Sequence, residues 1–155
     1  MGLLPMAIGV GMATSLLMTE AFGLATGGLV VPGYVALLID RPWELALILL
    51  ATAATTLVVN GVSRVAIVYG RRRTTLTLLT GYLAHIGVRY ALLDLLPAEL
   101  LASVSVGEAL GLIVPGLLAL WIMRQGLLET LSALCCAATI TRLGLILLAG
   151  ERLTP

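Results

Sequence analysis

The chain has 155 residues, of which 60% are hydrophobic and only 11% charged, with a mean hydropathy of +1.12 and a formal charge of +1. Soluble domains are nearer ~45–50% apolar and ~25% charged, and so small a chain has no core large enough to hide the excess, so lipid is its expected solvent. The near-zero charge excludes a global field that would gather nucleic acid, and all nine cations are arginine, which excludes a phosphate-cradling G-x-x-x-x-G-K-[ST] loop.

From its first residue the chain is apolar, without the basic leader of a cleaved signal, so 3–19 reads as a retained first span. Met6 stands where myristoylation requires Ser or Thr. Crossing a hydrocarbon layer of ~30 Å takes about 20 apolar residues in a helix. Segments 43–69, 74–96 and 126–148 meet that as well. Pro42 suits a first helical turn, and Trp43 and Tyr69 bracket the second span like interfacial belt residues. Arg71, Arg72 and Arg73 are expected to end that span, with Thr74 or Thr75 capping the third. As the strongest basic cluster they are expected on the cytoplasmic side. Residues 98–105 read as a short interfacial helix. Adjacent Cys135 and Cys136 read as small buried residues.

Two shorter segments, 24–39 and 106–123, each carry Val-Pro-Gly. Residues 28–41 read GLVVPGYVALLIDR and residues 111–124 read GLIVPGLLALWIMR, nine of fourteen positions being identical at a constant offset of 83. Such self-similarity indicates a duplicated unit. The expected fold is an all-α membrane protein, a single transmembrane domain over 1–155. About six hydrophobic segments form two three-segment repeats (about 1–70 and 74–150), each with a Val-Pro-Gly-broken helix. If all six cross, the repeats are inverted, as in many transporters; if the Val-Pro-Gly segments are re-entrant, the halves are parallel.

Proline lacks a backbone donor and clashes with the preceding turn, so Pro32-Gly33 and Pro115-Gly116 are expected to interrupt their helices. Half-helices starting there would aim free N–H groups at an anion; the alternative is a tight kink for packing. Arg41 and Arg124 end the two segments and either guide carboxylates or anchor at the interface. Arg64, Arg89 and Arg142 lie deeper and are candidates for a polar path. Arg89 with Asp94 and Arg142 with Glu129 are candidate neutralising pairs, and Glu20 is a further acid within reach of such arginines. His85, the single histidine, reads as a packing residue before it reads as a base. No metal-ligand spacing, nucleophile elbow or dinucleotide fingerprint occurs, so no catalytic residue, metal or cofactor is expected.

The ordered motifs are Glu20-x-x-Gly23, Gly28-Leu-Val-Val-Pro-Gly-Tyr34, Tyr69-Gly-Arg-Arg72, Thr80-Gly81, Gly111-Leu-Ile-Val-Pro-Gly116 and Gln125-Gly126. Together they resemble the poly-γ-glutamate (capsule) synthase membrane subunit family, PgsC/CapC, over residues 5–148. The resemblance implies a multi-pass protein of the bacterial cytoplasmic membrane. Its implied partners are a cytoplasmic Mur-ligase-like ATP-dependent ligase (PgsB/CapB-like), a CapA-like membrane-anchored outer subunit, a small CapE-like subunit and the polyanionic polymer, with room for a homo-oligomer. The leading expectation is a subunit that docks the ligase on Arg71, Arg72 and Arg73 and conducts the polymer. The alternatives are a purely structural scaffold, an intramembrane transferase using His85 and Glu20, and a small inverted-repeat transporter unrelated to polymer synthesis.

Overall fold

A computed structural model describes residues 3–65, 70–93 and 108–149. Among these every regular element is helical: α1 (Leu3–Phe22), α2 (Val31–Leu38), α3 (Pro42–Val65), α4 (Arg71–Leu93), α5 (Glu108–Gln125) and α6 (Leu127–Ala149). The proposed interfacial helix at 98–105 lies outside the described residues.

Among the described residues three helices are long and apolar enough to cross a membrane: Pro5–Phe22, Pro42–Arg64 and Leu127–Leu148. Helix α4 has the length, and carries three arginines in its first turn with four threonines, His85 and Arg89 along it. Helix α2 has eight residues and so covers only ~12 Å, well short of the layer.

The basic cluster does not end a helix, as the sequence suggests; it begins one. Gly70 adopts a left-handed φ of 63°, its carbonyl accepts from Arg73 N–H at 3.1 Å, and α4 starts at Arg71. Thr75 therefore bonds back to the Arg71 carbonyl at 3.1 Å, within the helix, and caps nothing. The second correction concerns Pro115. Pro32 opens α2, where a missing N–H costs nothing, but Pro115 lies inside the continuous α5. A half-helix begins at the first Val-Pro-Gly alone.

The helices form two compact units, one from Met1–Pro42 with Arg124–Pro155 and one from Trp43–Met123. The first thus holds α1, α2 and α6, and the second α4, nearly all of α3 and most of α5. Buried faces are small and hydroxylated. On α3 they comprise Glu44, Ile48, Ala51, Thr52, Thr55 and Val59; on α6, Thr130, Ala133, Leu134, Ala137, Ala138, Thr141 and Leu145. The large apolar residues point outward, with Leu57 73%, Leu128 81% and Leu147 86% exposed. In water such a surface would aggregate; in lipid it is the expected solvent face, and small residues between helices allow close packing. This inversion also corrects the cysteine reading, because Cys135 and Cys136 are free and exposed on α6.

Within the first unit the buried hydroxyls satisfy one another. Thr14 Oγ1 and Thr141 Oγ1 lie 2.7 Å apart, joining α1 to α6, and Ser15 Oγ meets Thr26 Oγ1 at 2.7 Å. The segment before α2 is irregular, with Gly27 and Gly28 at φ 83° and 126°, angles that a side chain would resist.

Candidate functional site

The two Val-Pro-Gly motifs share one geometry. In the first unit a Cβ added to Gly11 of α1 would fall under 3.0 Å from the Gly33 backbone, and one added to Gly33 would strike the Ala7 carbonyl. In the second, a Cβ on Gly81 of α4 would fall 2.5 Å from the Gly116 Cα, and one on Gly116 would lie 2.9 Å from the Leu78 Cα. Each motif therefore presses its backbone against the backbone of the preceding long helix. Pro32 and Pro115 are fully buried.

Four residues beyond each contact glycine, the units diverge. Ser15 follows Gly11 and is hydrogen-bonded; His85 follows Gly81, is buried, and its Nδ1 has no hydrogen-bond partner among the described residues.

Arg142 of α6 is a clamp rather than an isolated path residue. Its Nη2 donates to both Asp40 oxygens, at 2.8 and 2.7 Å, and its Nη1 donates to the Ala36 carbonyl in the last turn of α2 at 3.2 Å. A guanidinium there neutralises the acid and gives a carbonyl of the helix's last turn a donor. Its partner is thus Asp40, not the exposed Glu129 suggested by the sequence.

Gln125, the last residue of α5, makes a second clamp that residue-type reasoning overlooks. Its Oε1 accepts from Ala25 N–H at 3.1 Å, its Nε2 donates to the Ala25 carbonyl and, at 3.2 Å, to Thr130 Oγ1. A side-chain amide thereby supplies both hydrogen bonds that the irregular stretch around Ala25 cannot make within a helix. The signal for it in the sequence is the Gln125-Gly126 pair, and Gly126 at φ 104° lets α6 restart after a single residue.

The second unit gathers four arginines at one end. Arg64 is in the last turn of α3 and Arg71, Arg72 and Arg73 are in the first turn of α4. A shallow cleft of about 30 Å³ lies between these helices, lined by Val59, Val62, Ser63, Arg73, Leu76 and Thr80. Arg71 and Arg72 are exposed, while Arg73 is half-buried and donates to Met123 Sδ at 3.6 Å. Arg89 is not part of this group: it lies four turns further along α4, roughly 24 Å away at 1.5 Å per residue. Arg41 and Arg124, at the ends of the two motif segments, both have partners, as does the buried Glu44, and Glu20 is exposed near the end of α1. Asp94 is outside the described residues. Among the described residues no group of three or more His, Cys, Asp or Glu is placed to hold a metal.

Long lipid-facing helices, small hydroxylated interfaces and glycine-to-glycine contacts at both Val-Pro-Gly motifs fit a helical membrane protein. The model of the capsule biosynthesis CapC family matches residues 10–131, and the chain belongs to that family. It is 39% identical over 122 residues to the capsule biosynthesis protein CapC of Bacillus anthracis, covering 78% of each chain. It is 37% identical over 125 residues to the PGA biosynthesis protein CapC of Bacillus subtilis (strain 168), covering 80% of each. No solved structure matches it. These relationships place the chain in capsule or poly-γ-glutamate biosynthesis.

Proposed function

We propose that this chain is a non-catalytic, multi-pass subunit of a poly-γ-glutamate synthase in the bacterial cytoplasmic membrane. It docks a cytoplasmic Mur-ligase-like ATP-dependent ligase and helps the γ-glutamyl polymer form and cross. CapA-like and small CapE-like subunits complete the assembly. The supporting observation is the cationic end of the second unit, where Arg71 and Arg72 stand exposed at the start of α4 in a chain of this family. The positive end of the helix dipole adds to their charge, so an acidic ligase surface is the complementary partner. Replacing Arg71 and Arg72 with Gln is expected to reduce ligase co-purification by about tenfold, the loss of two exposed ion pairs of up to about 1 kcal/mol each, at unchanged membrane level. Undiminished co-purification would place docking elsewhere.

We further propose that the chain is a duplication. The nine identities around the motifs are one support. The buried positions of α3 and α6 are another. Six pairs match 86 residues apart: Glu44 and Thr130, Ile48 and Leu134, Ala51 and Ala137, Thr52 and Ala138, Thr55 and Thr141, Val59 and Leu145. Buried Ala133 is the exception, its counterpart Leu47 being half-buried. Thr55 and Thr141 also make the same bond to a carbonyl four residues earlier, each at 2.7 Å. On this reading, each unit combines the first two helices of one repeat with the third helix of the other. The same duplication accounts for His85: Ser15 has Thr26 as a partner, and the matching position in the second repeat is Ala109.

A scaffold reading is favoured by one observation, the backbone packing at Gly33 and Gly116, which leaves those motifs no space beside α1 and α4. Under both readings His85 takes no part in chemistry. A buried nitrogen without a partner costs about 1–3 kcal/mol, so His85→Phe is expected to leave thermal stability unchanged or slightly raised, with polymer yield per complex intact. A fall in yield at unchanged complex level would instead support the transferase alternative.

A further inference from the structure

The cleft between α3 and α4 has a composition that ligase docking does not use. Its hydroxyls are already committed: Ser63 Oγ donates to the Asn60 carbonyl at 3.0 Å and Thr80 Oγ1 to the Leu76 carbonyl at 2.6 Å. What remains is an apolar wall of Val59, Val62 and Leu76 with a guanidinium, that of Arg73, on its lining. Among the described residues Arg73 has a thioether sulfur as its hydrogen-bond partner, a weak acceptor for a group with five donors. No acid lies in the first turn of α4, and Arg64, Arg71 and Arg72 add charge at the same end. The complementary occupant is anionic at one end and apolar along the rest of its length. A γ-glutamyl polymer carries a carboxylate and an amide at every repeat, so its paired methylenes never form a long apolar run to lay against valine and leucine.

We propose that this cleft binds an anionic phospholipid, with its phosphate on Arg73 and an acyl chain against Val59, Val62 and Leu76. This goes beyond the assembly reading and does not depend on it. Basic pockets between membrane helices are suited to such head groups because charge and apolar contact act together. The bound lipid also gives Arg73 a bidentate oxygen acceptor, which no described residue is seen to supply. Arg71 and Arg72, more exposed, stay available to a protein partner.

The test is native mass spectrometry of the full chain released from nanodiscs of equal phosphatidylglycerol and phosphatidylcholine. Phosphatidylglycerol is expected to be retained preferentially, and Arg73→Gln to lower its occupancy about tenfold, the equivalent of one charge-assisted contact. Arg89→Gln, at the far end of α4, should leave occupancy unchanged. Val62→Trp fills the wall while keeping the charge, and should lower retention by a similar factor even if Arg73→Gln fails to accumulate. Equal retention of both lipids, or unchanged retention in Arg73→Gln and Val62→Trp, overturns the proposal. Displacement of the lipid by soluble poly-γ-glutamate at concentrations where it also binds lipid-free protein at Arg73 would overturn it too, assigning the cleft to the polymer.

Discussion

Gly11→Ala and Gly81→Ala are expected to remove most of the folded protein from the membrane, at least about tenfold, while Gly9→Ala and Gly87→Ala accumulate normally. A methyl group at Gly11 or Gly81 would meet the backbone of Gly33 or Gly116, whereas at Gly9 and Gly87 it would meet open space. Side chains can rotate away from a clash; a backbone inside a packed helix pair can only move with its helix. Overpacking costs about 1–3 kcal/mol even where side chains adjust, a large share of a total stability of about 5–15 kcal/mol. Helix propensity acts in the other direction, since Ala exceeds Gly by about 1 kcal/mol in a helix interior. The open positions therefore serve as an internal control for the substitution itself. The measurement is the monodisperse fraction after mild detergent extraction. Wild-type recovery of both contact variants would mean that the motif helices do not approach α1 and α4 this closely.

Arg142→Met is expected to lower the thermal midpoint of the solubilised protein by roughly 4–8 °C. The side chain makes three hydrogen bonds, two of them to the Asp40 carboxylate. Hydrogen bonds to charged groups contribute about 1.5–3 kcal/mol, and for a chain of this size each kcal/mol shifts the midpoint by about 2–4 °C. Asp40→Asn should cost less, because Asp40 is 59% exposed and water replaces part of what it loses. Arg142→Lys should restore little, since an ammonium is a point donor and cannot span the carboxylate and the Ala36 carbonyl as a fork does. If Arg142→Met kept the midpoint but reduced polymer output, Arg142 would belong to a polymer path and not to a clamp.

Hydrophobic run length made the long helices legible before any coordinates. Helix α6 begins and ends within one residue of its expected limits, and Pro42 marks the start of α3 as a first-turn proline should. The start of α4 differs from the sequence reading because three arginines look like the end of a hydrophobic run, whereas the helix starts directly after the left-handed Gly70. Pro115 was misread because a proline rule describes isolated helices, whereas a helix packed on α4 continues through the missing bond. The clamps were illegible for another reason. Asp40 and Arg142 are 102 residues apart and Ala25 and Gln125 are 100 apart, and no local pattern specifies which distant helix supplies a partner. Likewise, the threonines and alanines of α6 mark a packed face without naming its neighbours. Cys135 and Cys136 were misplaced because burial was taken as the rule for apolar residues, which a lipid surface reverses.

The make-up of the first unit also sets an order of events during synthesis. Residues 43–123 form the second unit from one uninterrupted stretch, so that unit is able to close as soon as α5 has left the ribosome. The first unit has α1 and α2 early and then waits for α6. At about 5–20 residues per second, the 102 residues between Asp40 and Arg142 leave that carboxylate without its guanidinium for roughly 5–20 s. Thr14 stays without Thr141 for longer still. The nascent protein thus carries one finished unit while the other is still open. Insertion machinery and membrane proteases meet the open half first, and damage to the last helix to be made is read out at the first two.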